Sequence, residues 1–212
     1  MSSRRELLIG SAALFPLLSF LRDALAQGRV EKGIYRVRGE VRVNGEPARE
    51  GGEVRFGDLL TTGPDGEVVF VSGRDAMLVR RSSSLNLVAD GLRVVTGAVL
   101  SVFASGERKR VETQTAVIGI RGTGLYVEAD AQRTYACTCY GETVLAPLGD
   151  PAASETVRTT HHDQPRYIMA SGAPQMIMQA PVVNHTDAEL ILLESIVGRQ
   201  PPFIGQGYKP TY

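Results

Sequence analysis

Apolar and polar residues alternate in short runs from residue 34 to about residue 148. The runs are 35–43, 68–71, 76–79, 92–95, 98–103, 116–120, 125–128, 133–139 and 143–145. A period of two carried by Val, Ile and Tyr predicts strands, because successive side chains of a strand point to opposite faces of a sheet. Asn44-Gly45, Asp65-Gly66, Ser72-Gly73, Asp90-Gly91 and Ser105-Gly106 lie between the runs. Their Gly or Asn takes positive φ at little cost, as tight turns require. Strands at this spacing predict an all-β roll, solenoid or sandwich. No stretch there has the helical period that the crossover of a parallel α/β sheet needs.

The pattern changes near residue 185. Thr186-Asp187-Ala188-Glu189 has the form of a capping box, and Leu190, Leu193 and Val197 share one helical face. Gly198, Arg199 and Pro201 end the element. One amphipathic helix over about 187–197 is therefore predicted to dock on the β-structure, with an extended tail to residue 212.

Charge and composition narrow the function. Lys plus Arg number 23 against 23 Asp plus Glu, and 43% of the 212 residues are apolar. A neutral chain has no basic field for phosphates, so nucleic acid is not an expected partner. Residues 1–26 read as a twin-arginine export signal. Ser3-Arg4-Arg5 precedes an apolar run from Leu7 to Leu21, then come Arg22 and Ala24-Leu25-Ala26, an Ala-x-Ala cleavage pattern. The run is shorter than the roughly 20 residues a membrane-spanning helix needs, so no stable transmembrane span is expected. The predicted destination is the periplasm, with the twin-arginine machinery as the partner during export. That route carries chains already folded, which makes a cofactor inserted beforehand plausible.

Within residues 51–127 several motifs occur together: Gly57-Asp58-Leu59-Leu60-Thr61-Thr62-Gly63, then Asp65-Gly66, then the stretch 82–87, then Gly97-Ala98-Val99-Leu100. Thr115-Ala116-Val117-Ile118-Gly119-Ile120-Arg121-Gly122-Thr123 follows, leading into Leu125-Tyr126-Val127. On these residues the chain resembles the FecR domain of bacterial envelope proteins over about 35–148. The resemblance implies an all-β fold, a short β-helix-like roll or solenoid of short strands, here with one C-terminal amphipathic helix. Known members of that family relay the state of an outer-membrane receptor through an anti-sigma segment and a membrane span placed ahead of the domain. The export signal stands in that place here, so the relay itself is not expected. The expected organisation is an export signal (1–26), a FecR-like β-domain with a Cys/His extension (27–185), and a docking helix with its tail (186–212). The partner would be an envelope protein or a ligand. Gly119-Ile120-Arg121-Gly122-Thr123-Gly124 lacks the Lys-Ser/Thr ending and following helix of a phosphate loop, and is expected to form a tight corner between strands with Arg121 paired nearby.

The chemistry lies further along. Cys137 and Cys139 are the two cysteines of the chain, and His161, His162 and His185 are its three histidines. On a strand, Cys137 and Cys139 share a face beside Tyr135. Two thiolates with two imidazoles suit a metal ion, zinc first and iron or an iron–sulfur cluster second. Other readings stay open: a disulfide, strained between i and i+2, or cysteines acting as small buried hydrophobes. Adjacent His161 and His162 face opposite ways in a regular strand, so one would ligate and the other make a different contact. His185 sits at the helix start, and Asp163 is a candidate partner for an imidazole. Met169, Met176 and Met178 could supply soft ligands to copper, although methionine more often fills core gaps. No Gly-x-Ser-x-Gly, His-Glu-x-x-His or marked carboxylate pair occurs, so no enzymatic activity is expected.

Overall fold

The computed structural model describes residues 32–205, so the expected export signal falls outside the described residues. The described residues form one 14-stranded sheet and a single α-helix near their C-terminal end. The first half holds β1 (Gly33–Arg38), β2 (Val41–Val43), β3 (Glu46–Pro47), β4 (Leu59–Thr62), β5 (Glu67–Ser72), β6 (Asp75–Val79), β7 (Ser84–Val88) and β8 (Gly91–Val102). The second half holds β9 (Lys109–Glu112), β10 (Ala116–Ala129), β11 (Arg133–Pro147), β12 (Glu155–Thr159), β13 (Arg166–Met169), β14 (Ile177–Gln179) and then α1 (Asp187–Ile196). Pairing is antiparallel throughout except between β8 and β9. The sheet is therefore an antiparallel roll, and not a coil of stacked parallel turns. The expected all-β class with one helix is what the described residues adopt.

Three long strands organise the roll. β8 bends at Gly97: its first half lies between β7 and β9, its second between β6 and β10. Gly97 has φ +90°, and a Cβ there would sit 2.5 Å from the Ser83 Cα, so the bend admits no side chain. β10 likewise runs between β9 and β11, then between β8 and β11. The Gly-rich run 119–124 is expected to be a corner; it is instead a bulge inside β10, where the register with β11 shifts between Arg121 and Gly124. Arg121 does pair with Glu142.

Two apolar cores lie on opposite faces of this sheet. The inner one gathers Leu60, Phe70, Leu85, Leu92, Ile118 and Leu145, among others. The outer one sets Leu78, Leu100, Val102 and Tyr126 against Leu190, Leu193 and Ile196 of α1. Strands covered on both faces read as nearly continuous apolar runs, such as Val68-Val69-Phe70-Val71, whereas β7, covered on one face, alternates. The helix starts as its sequence predicts. The Thr186 hydroxyl accepts from the Glu189 amide, and the Glu189 carboxylate accepts from the Thr186 amide. It packs over β6 and β8. Among the described residues no helix is long and apolar enough to cross a membrane.

Candidate metal centre

The site forms where β11 lacks a neighbouring strand. On one edge of β11, β13 pairs with residues 133–136 and β12 with residues 141–145, both antiparallel. The loop 160–165 that joins them passes beside residues 137–140, so six residues stand opposite four. The surplus bulges, and its tightest point is His162, whose φ of +52° is left-handed. A non-glycine residue there costs on the order of 1–3 kcal/mol and persists where its surroundings fix it. The His162 amide donates to the Cys139 carbonyl at 2.9 Å, and the Thr159 hydroxyl donates to the Thr138 carbonyl at 2.7 Å. His162 is thus stitched to the cysteine strand.

Cys137 and Cys139 point to the outer face with Tyr135, and all three belong to the outer core. Both thiols are free, so they form no disulfide. Cys137 Sγ is 3.4 Å from His162 Nδ1, which is 3.0 Å from His185 Nε2. One donor atom from each of Cys137, Cys139, His162 and His185 lies within 4.8 Å of the others. Zinc bonds of about 2.3 Å to sulfur and about 2.0–2.1 Å to nitrogen imply tetrahedral edges of roughly 3.3–3.8 Å. The cluster is close to that size, and it could hold a metal ion. All four residues are buried, the cysteines completely.

The hydrogen-bond network fixes which nitrogens face the sulfurs. His185 Nδ1 donates to the Val183 carbonyl at 2.6 Å, leaving Nε2 with a lone pair. His162 Nε2 donates to Asp187 Oδ1 at 3.0 Å, leaving Nδ1 turned to Cys137. A carboxylate behind a histidine is the usual support of a metal-bound imidazole. His185 also stacks on Tyr126 at 4.5 Å between ring centroids, and Asn184 just before it takes φ +59°.

His161 stands apart from the four. It is part-exposed, donates from Nε2 to the same Asp187 oxygen at 2.8 Å, and lies against the Phe203 ring. Asp163 does not support an imidazole, contrary to expectation: its carboxylate accepts from the Thr160 amide and hydroxyl within its own loop. Asp187 takes that role. In the sequence Asp187 looks like an ordinary first-turn helix acid, and the signal that could have flagged it is its place two residues after His185. Met178 is exposed on β14.

The electrostatics suit thiolate ligation. A hydrogen bond from the Cys139 thiol, aided by His162 and His185, outweighs burial and holds the Cys137 pKa down to about 4. Burial, and then the neighbouring Cys137 thiolate, push the Cys139 thiol well up. For His162 burial pulls down, but the Cys137 thiolate and Asp187 together raise it above its ordinary 6.5. Metal must therefore displace the Cys139 proton at neutral pH, and the His162 proton as well once that ring is charged, while Cys137 competes only near pH 4. Apparent affinity should rise about tenfold per pH unit above the His162 pKa and about a hundredfold or more per unit below it. Competition against a calibrated chelator between pH 5.5 and 8 checks this, and an affinity flat with pH would contradict thiol and imidazole ligation.

The sequence matches no protein-family model, and no curated protein is similar to it at a significant level. The fold is similar to two crystal structures from Parabacteroides distasonis ATCC 8503, each assigned as an anti-sigma factor. The first aligns with a TM-score of 0.47 and 8% identity, covering 57% of this chain and 58% of its own. The second aligns with a TM-score of 0.36 and 15% identity, covering 68% of this chain and 72% of its own. The chain thus spans somewhat over half the length of the first of these structures.

Proposed function

We propose that this protein is an exported, non-catalytic FecR-like domain of the periplasm that binds an envelope partner or ligand and holds one zinc ion at Cys137, Cys139, His162 and His185. One observation carries the metal half: four soft and borderline donors from three separate chain segments, all on buried residues, converge within 4.8 Å. Four protein donors fill a tetrahedral ion and leave no position for substrate, as in structural rather than catalytic sites. A two-iron cluster with two cysteines on one iron and two histidines on the other would hold the two pairs apart. Here Cys137 Sγ lies against His162 Nδ1, which favours a single ion. The envelope half rests on the FecR-like motifs of residues 51–127 and on the export signal. Export of an already folded chain lets the ion be loaded before the thiols meet an oxidising compartment.

Elemental analysis and an absorption spectrum of the purified mature protein test the metal. The expected result is one zinc per chain and no visible colour, with cobalt substitution giving the bands of a tetrahedral S2N2 site. Iron with visible absorption would replace this reading by that of a small redox protein, and absence of any bound metal would overturn it. The export half is tested with residues 1–30 fused to a reporter. Export should be lost in the Arg4→Lys, Arg5→Lys double variant, and export that survives it would refute the twin-arginine route.

A further inference from the structure

The two cores divide the chain unequally. Residues 180–205 contribute nothing to the inner core, which the strands of the roll build alone. They supply about a third of the outer core, Leu190, Leu193, Ile196 and Phe203 among them. This arm lies as a strap over the sheet face formed by Leu78, Leu100, Val102 and Tyr126. A helix of ten residues is too short to persist in water by itself, so α1 exists only while it is docked.

The strap is tied along its length. Tyr135 Oη donates to the Pro181 carbonyl at 3.0 Å and accepts from the Val183 amide at 3.3 Å. Arg80 on the sheet reaches Glu189 at 2.6 Å, and Tyr140 donates to the buried Glu194 carboxylate. Arg199 bonds both Glu194 and the Arg74 carbonyl. Between the first tie and the helix lies the Cys/His cluster. The arm gives it one donor, His185, and also Asp187, which orients a second, His162. The remaining donors belong to β11 and the β12–β13 loop. Lifting the arm therefore dismantles the cluster, and an ion in the cluster holds the arm down.

We propose that metal occupancy of the Cys137, Cys139, His162 and His185 cluster controls docking of the 180–205 arm, so that loss of the ion releases the arm as a unit and bares the outer sheet face while the roll stays folded. This rests on the metal-site reading above and adds a consequence that a merely local ion would not have. Such a latch turns metal supply into exposure or concealment of an apolar surface on an envelope protein.

Hydrogen–deuterium exchange on the full mature chain, with bound zinc measured in parallel, tests the latch before and after chelation. At free zinc a thousandfold above Kd, α1 amides should lose about a thousandfold of protection when the ion is removed. Peptides of β4 to β8 that face the inner core should remain strongly protected in the zinc-free protein, where α1 exchanges as an open segment, as befits a separate cooperative unit. If chelation removes a bound ion and the arm's exchange stays the same, the metal reading survives and the latch does not. A roll that loses its protection together with the arm would also overturn the latch, since the roll would then not stay folded without the ion. A protein that binds no zinc would remove both.

A second variant tests the coupling from the other side. Leu193→Ala thins the outer core without touching a ligand, and Leu193 is fully buried. Because coupling between two sites is reciprocal, it should lower zinc affinity by the same factor by which it raises α1 exchange. Faster exchange with unchanged zinc affinity would sever the link.

Discussion

Replacing Cys139 with serine is expected to strip the protein of its ion and lower its melting temperature by about 8–16 °C in the presence of zinc. The magnitude follows from linkage. A ligand that binds only the folded state, at a free concentration a thousand times its Kd, contributes about 4 kcal/mol. For a chain of this size each kcal/mol moves the melting temperature by about 2–4 °C. Serine keeps the shape, and its hydroxyl can still donate to the Cys137 carbonyl, which the Cys139 thiol now reaches at 3.5 Å. What it loses is a soft donor that gives up its proton to a metal. The same substitution in zinc-free protein should therefore cost only about 1 kcal/mol, the scale of an ordinary hydrogen-bond rearrangement. Thermal unfolding of both proteins, with zinc and with chelator, isolates the difference. An equal loss under both conditions would make Cys139 a packing residue and nothing more.

Much of the roll is legible in the sequence because burial writes itself into the residues. The two-faced strands β5 and β6 announce themselves as unbroken apolar runs, and the turn dipeptides mark where the chain reverses. The runs 92–95 and 98–103 read as separate strands, as do 116–120 and 125–128. Each pair is one strand, bent at Gly97 or bulged at 121–124. A glycine that permits a bend looks the same in sequence as one that ends a strand. The strands β4 and β9, with β12 to β14, are weakly marked or too short to show a period: β14 has three residues and β9 four. They are held by pairing, not by propensity.

For the candidate site, the rarity of Cys and His is the legible part. The geometry of their convergence is not, because it depends on a register. The loop 160–165 meets Cys137 and Cys139 only because β12 and β13 flank them along β11, and no local pattern states that pairing. The left-handed backbone at His162 is equally silent. It turns two adjacent imidazoles toward one carboxylate, where an extended strand would send them to opposite faces.

That carboxylate gives the second large effect. Asp187→Asn is expected to weaken zinc binding about 10–100-fold while leaving all four metal donors in place, the range seen when the support behind a ligating histidine is removed. Asp187 is 1% exposed, and its Oδ1 accepts from both His161 and His162. Asparagine keeps an oxygen but loses the charge that holds the His162 proton on Nε2, so the tautomer with Nδ1 free for the ion is no longer enforced. A competing role exists, since an acid in the first helical turn favours the helix dipole by about 0.3–1 kcal/mol. The two roles separate experimentally. A loss confined to helix stability would lower the melting temperature equally with and without zinc and leave zinc affinity unchanged. A positioning role lowers the affinity, measured by chelator competition, and alters the cobalt spectrum through the changed His162 bond. His161→Ala supplies the control: His161 shares the carboxylate but gives no donor to the four-residue cluster. Its loss should leave zinc affinity within about threefold, because the Asp187 bond to His162 remains. A larger fall in His161→Ala than in Asp187→Asn would place His161 at the ion in place of His162.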